Sequence, residues 1–151
     1  MKIASFYIQE SNNTQRGLHT IKVVSEIDHQ VQLHKYTFDR RASGVRSNTY
    51  FLYQALSSAI QEVYADKLGP FEPQQVDVYV EDEMDQWMMQ SGIGDALEKL
   101  QTTSPIERVL LNDHQEYIVT ILDILGVKSA QVLEYVVPEL DNRIKHQLQN
   151  E

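Results

Sequence analysis

The chain has 151 residues, 42% hydrophobic and 23% charged, which suits one globular domain large enough to bury a core. It contains no cysteine, so disulfides, thiolate metal sites and cysteine nucleophiles are excluded. Net charge is −9 and uneven: residues 1–75 hold eight Lys/Arg and seven Asp/Glu, whereas residues 76–151 hold five and fifteen. An acidic half of this kind repels phosphate backbones, which makes nucleic acid an unfavourable partner, and it suits a basic protein.

The apolar start, residues 3–7, is too short for a signal peptide and runs into Gln9 and Glu10. No stretch approaches the roughly 20 apolar residues of a membrane span. A cytoplasmic protein away from membranes is the default expectation.

Residues 3–8 alternate, with Ala4, Phe6 and Ile8 on one face, and read as a strand. The polar run 11–17 reads as a loop. Residues 18–27 form a second strand, Ile21, Val23 and Ile27 sharing a face. Asp28-His29 offers a two-residue turn into a third strand, 30–38, with Val31 and Leu33 inward. Three strands with short links predict an antiparallel meander. After a loop with three arginines, Asn48 is a good helix cap. Leu52, Ala55, Leu56, Ala59 and Val63 then recur at helical spacing, widened by Tyr53, Ile60 and Tyr64. Gly69-Pro70 ends that helix, and residues 76–80 alternate as a fourth strand.

The remainder reads as mostly helical. A short helix from Asp82 or Glu83 carries Met84, Trp87 and Met88 and is expected to break at Gly92 and Gly94, with another turn or two over 95–100. Ser104-Pro105-Ile106-Glu107 is a helix-start signal, while residues 107–111 suit either a helix or a short fifth strand. Tyr117, Ile118, Ile121, Leu122 and Leu125 mark one helical face ended by Gly126. Ser129 is expected to cap a helix through Val132, Leu133, Val136 and Val137, Pro138 to kink or end it, and residues 139–149 to form a polar final helix. The expected class is α+β: a single domain over 1–151, with a sheet-plus-helix half at 1–90 and a helical portion at 91–151.

The order strand, strand, strand, helix, strand, helix over residues 1–90 resembles the ribonuclease H-like superfamily. Residues 46–56, Arg-Ser-Asn-Thr-Tyr-Phe-Leu-Tyr-Gln-Ala-Leu, look like that superfamily's approach to its first helix. The resemblance implies a mixed sheet. It also implies a metal-dependent nuclease site with carboxylates on the first strand, the first helix, the end of the fourth strand and a late helix, holding paired Mg²⁺ or Mn²⁺. Glu10 is the carboxylate nearest the first position, and Glu81 and Asp82 match the third. Asp113, Asp123 and Asp141 are late candidates. The helix position falls near Phe51, which cannot bind a metal, and Gln54 is a poor substitute. The implied scaffold is therefore read as non-catalytic, with no cofactor. A divergent nuclease using Glu10 and Asp82 is the alternative.

The remaining clusters have plainer roles open to them. Glu81-Asp82-Glu83 with Asp85 suits the positive end of a helix better than a lone cation site. None of the five histidines has metal-motif spacing; His19 and His34 are expected on neighbouring strands, where they could meet across the ladder. Residues 117–137 resemble a helix-turn-helix that would present Ser129, Ala130 and Gln131 to DNA, but Glu134, Glu139 and Asp141 oppose phosphate contact. Arg40, Arg41 and Arg46 form the only basic cluster and a candidate partner-binding loop. Met84, Trp87, Met88 and Met89 suit an adaptable interface; a core between helix and sheet is the expected use.

Overall fold

The computed structural model describes residues 3–13, 17–39, 48–65, 75–102 and 129–149. β1 (Ile3–Asn13), β2 (Leu18–Ile27) and β3 (Gln30–Asp39) form the antiparallel meander. Asp28 and His29 join β2 to β3 at φ 52° and 66°. A two-residue type I′ turn demands left-handed backbone at both central positions, and aspartate and histidine are among the side chains that tolerate it best. β1 runs beyond its apolar part. Ser11, Asn12 and Asn13 pair with Thr20, His19 and Leu18, so polar residues read as loop extend the ladder.

α1 (Asn48–Ala65) crosses one face of the sheet and leads towards β4 (Gln75–Val80), which lies parallel to β1. α2 (Glu83–Thr102) follows, and β5 (Ala130–Glu134) lies parallel to β4. The strand order is β3-β2-β1-β4-β5. A short 3₁₀ turn, Val137–Glu139, precedes α3 (Asn142–Gln149).

Both faces of the sheet are covered. Ala4, Phe6 and Ile8 of β1, Ile21 and Val23 of β2, and Val76, Val78 and Val80 of β4 meet the buried stripe of α1, with Met89 and Ile93 of α2 closing the margin. Alanines and serine at 55, 57 and 59 are buried and let α1 lie close to the strands. The opposite face is smaller. Val24, Tyr135, Ile144 and Leu148 centre it, with Tyr7, Val31, Leu33 and Tyr79 packed around them. Val31 and Leu33 thus point inward, towards α3 and away from α1. Arg143 fixes α3 to the β2–β3 turn, donating to Glu26 at 2.7 Å and to the His29 carbonyl at 3.0 Å. Lys22 donates to the carbonyl of Leu148 at 3.0 Å, near the negative end of α3.

Three expectations are corrected. Gly92 and Gly94 do not break α2, because burial of Met89 and Ile93 outweighs the roughly 1 kcal/mol that each glycine costs a helix. Residues 130–134 are a strand, not a helix; Val76 N–H donates to the Ser129 carbonyl and Tyr135 N–H to the Val80 carbonyl, so β4 claims the segment over its whole length. That removes the recognition helix of the helix-turn-helix reading, whose remaining residues 117–128 lie outside the described ones. The final helix starts at Asn142, where Asp141 caps it by accepting from the Arg143 N–H at 2.8 Å. Among the described residues, no helix is long and apolar enough to cross a membrane.

Candidate functional site

Because β1 and β4 run parallel, both strands emerge at the same edge of the sheet, where open α/β sheets commonly bind ligands. An open cleft of about 500 Å³ lies there, lined by Ile8, Glu10, Val80, Glu81, Asp82, Met84 and Asp85. The topology therefore brings Glu10 and Asp82 into one cleft, with two further carboxylates from the β4–α2 junction.

Glu10, Glu81 and Asp82 are each engaged. Glu10 Oε2 lies 3.1 Å from Nε2 of the buried His19. The pair is diagonal across the ladder, since Glu10 stands opposite Ile21. Glu81 Oε1 lies 3.1 Å from the Tyr135 hydroxyl, which is also 2.8 Å from the Ile8 carbonyl. Burial, and secondarily Glu81, pushes the Tyr135 hydroxyl well above the ordinary tyrosine range, so it remains a donor. Asp82 Oδ1 accepts the N–H groups of Met84 at 2.8 Å and Asp85 at 3.1 Å, which makes Asp82 the N-cap of α2.

Phe51 stands on the first turn of α1 and is fully buried. Its ring centroid is 5.7 Å from His19, 5.5 Å from Phe38 and 5.4 Å from Tyr50. The helix position at which the resemblance implies a carboxylate is therefore part of the core. Among the described residues, no group of three or more His, Asp or Glu side chains is placed to hold a metal ion. Among the described residues, the donor set does not fit a two-metal centre. Of the late candidates, Asp141 caps α3 on the other layer, and Asp113 and Asp123 lie outside the described residues, as do Arg40, Arg41 and Arg46.

His19 and His34 do not meet. His34 stands opposite Val23 and His19 opposite Phe38, so each finds its own carboxylate. His34 Nδ1 is 2.7 Å from Glu62 Oε2 and its Nε2 is 3.1 Å from Ser25 Oγ. Sequence spacing alone could not reveal this serine–histidine–glutamate chain, which depends on the β2–β3 register. It has the order of a nucleophile triad, but Ser25 is buried between sheet and helix. A substrate could not reach it, and the chain instead ties α1 to β2 and β3.

On the opposite face Tyr7 and Tyr79 stack, with ring centroids 4.4 Å apart and planes at 8°. They line a second, smaller cleft with Glu26, Asp28 and Asp77. The carboxylates of Asp77 and Glu26 are already met there, Asp77 by Gln75 and Gln131 and Glu26 by Arg143.

Met84, Trp87 and Met88 are exposed, which corrects their expected use as core; only Met89 of that group is buried. On the neighbouring side of α2, Gln86 donates to the Val132 carbonyl at 2.9 Å and Gln90 accepts the Val132 N–H at 2.8 Å. These two amides satisfy the outward N–H and carbonyl of Val132 in the middle of β5.

Three antiparallel strands followed by two parallel ones, in the order β3-β2-β1-β4-β5 with a helix between β3 and β4, define a ribonuclease H-like fold. Among solved structures, ribonuclease H1 from the halophilic archaeon Halobacterium salinarum NRC-1 is similar over 96% of this chain and 90% of its own, at 14% identity and a TM-score of 0.47. No family model and no curated protein matches the chain.

Proposed function

We propose that the chain is a non-catalytic interaction or regulatory protein on a ribonuclease H-like scaffold, meeting a basic protein partner through its acidic C-terminal half. The observation that carries the reading is Phe51. A buried aromatic ring occupies the helix position where the nuclease chemistry requires a carboxylate. The engagement of Glu10 by His19, and of Asp82 by the start of α2, supports it further. Fifteen acidic residues against five basic ones over 76–151 favour a cationic partner.

A divergent metal-dependent nuclease is the second reading, favoured by the shared cleft of Glu10, Glu81, Asp82 and Asp85. Labelled RNA, DNA and hybrid duplexes incubated with the protein and Mg²⁺ or Mn²⁺ separate the two. The expected result is no cleavage beyond that given by a Glu10→Gln, Asp82→Asn double variant. Cleavage by the native chain that the double variant abolishes would overturn the non-catalytic reading. A partner held by the acidic half is shed as ionic strength rises, because salt screens such attraction. Retention indifferent to salt counts against it.

A further inference from the structure

We infer that the exposed face of α2 is a docking surface for a short basic amphipathic helix, an inference that rests on the interaction reading above. Met84, Trp87 and Met88 stand at i, i+3 and i+4, so they share one face. They are 62%, 66% and 40% exposed. Burial of Met89 and Ile93 and the two glutamines on the β5 edge secure α2; of the three, Met88 adds one contact to α1, its Sδ accepting from Thr49 Oγ1 at 3.8 Å. Large apolar side chains gathered at a surface mark an interaction site, and methionines adapt their shape to what they bind.

The surroundings select the occupant. Residues 75–98 contain seven acidic residues and no lysine or arginine. Glu81, Asp82 and Glu83 are exposed beside Met84. Met84 also lines the cleft of Glu10, Glu81, Asp82 and Asp85, so the apolar stripe runs into a carboxylate-lined recess. A helix with apolar residues at i, i+3 and i+4, flanked by lysine or arginine, satisfies both parts. An acidic helix or a nucleic acid meets repulsion. A second copy of this chain would bring the same carboxylates to the contact.

Trp87 is the sole tryptophan, so its fluorescence reports on this face alone. The probe is a synthetic leucine–lysine amphipathic peptide. A leucine–glutamate peptide of the same pattern and a lysine–serine peptide of the same charge are its controls. The leucine–lysine peptide is expected to shift Trp87 emission to the blue, saturably, and to shield it from acrylamide. A Met84→Ser, Met88→Ser double variant, with unchanged far-ultraviolet circular dichroism, should bind it about tenfold more weakly, a loss of about 1.4 kcal/mol. An unmoved Trp87 spectrum, an equal response to the leucine–glutamate peptide, or undiminished binding by the variant overturns the assignment. Anisotropy of the labelled peptides separates the two levels. Salt-sensitive binding of both basic peptides with Trp87 silent removes the α2 surface and leaves the basic-partner reading standing. No binding of either basic peptide removes both.

Discussion

The Phe51 ring lies 5.7 Å from the imidazole of His19, and Nε2 of that imidazole is 3.1 Å from Glu10 Oε2. An aromatic side chain from α1 thus backs the histidine that engages the first-strand carboxylate. Truncating Phe51 to alanine is expected to cost about 3–5 kcal/mol in urea unfolding, as for other fully buried aromatics. Phe51→Asp should be at least as costly and give no Mn²⁺ binding by calorimetry, since a lone carboxylate there is desolvated among rings. A stable Phe51→Asp protein that takes up Mn²⁺ would show that the site tolerates a ligand.

Asp82 separates a structural from a catalytic role. As the N-cap of α2, its replacement by alanine should lower stability by about 1 kcal/mol, while asparagine, an equally good cap, should cost almost nothing. Thermal unfolding of the two variants checks this. Equal loss in both would mean that the negative charge, and not the cap geometry, is what α2 uses.

Gly94 sits within α2, and a Cβ added there would meet nothing within 4 Å. Its φ is not among the positive ones. Gly94→Ala should therefore stabilise the protein by about 0.5–1 kcal/mol, by removing backbone freedom from the unfolded chain. Guanidinium unfolding that shows a loss instead would mean that the helix needs glycine there for a reason other than space.

Tyrosine ionisation should limit stability at high pH. Burial, before any other cause, raises the hydroxyls of Tyr7, Tyr36, Tyr53, Tyr79 and Tyr135 above their ordinary value. The folded state therefore favours the neutral phenol. This contribution is whole below about pH 10, shrinks as unfolded tyrosines ionise, and is gone once pH passes the raised folded values. Ultraviolet titration should show these phenols ionising together with unfolding. Tyr135→Phe should flatten part of the alkaline decline while costing about 1 kcal/mol at neutral pH through its lost hydrogen bonds. Independent titration of all eight tyrosines near pH 10 in a folded protein would contradict the burial argument.

The front of the fold was legible because its periods are unambiguous. Ala4, Phe6 and Ile8 alternate, and Leu52, Ala55, Leu56, Ala59 and Val63 recur every three or four residues, as strand and helix require. Residues 129–137 misled because Val132, Leu133, Val136 and Val137 satisfy helical spacing. Their true state depends on pairing with β4, some fifty positions earlier. Of the site, the sequence singled out Glu10 and Asp82, which the parallel pairing of β1 and β4 brings to one cleft. It could not disclose that His19 engages one and the first turn of α2 the other, since both follow from register and cap geometry.

The bond from Lys22 to the carbonyl of Leu148 joins positions 126 residues apart. At about 5–20 residues per second, a ribosome adds the second partner roughly 6–25 s after the first. For that interval Val24, Val31 and Leu33 have no α3 to cover them, although the meander that carries them can already pair. The α1 side of the sheet can close during synthesis, whereas the α3 side must wait for its lid. In the cell, the newborn chain passes through a stage with one finished face and one greasy one, which is the stage a chaperone would recognise.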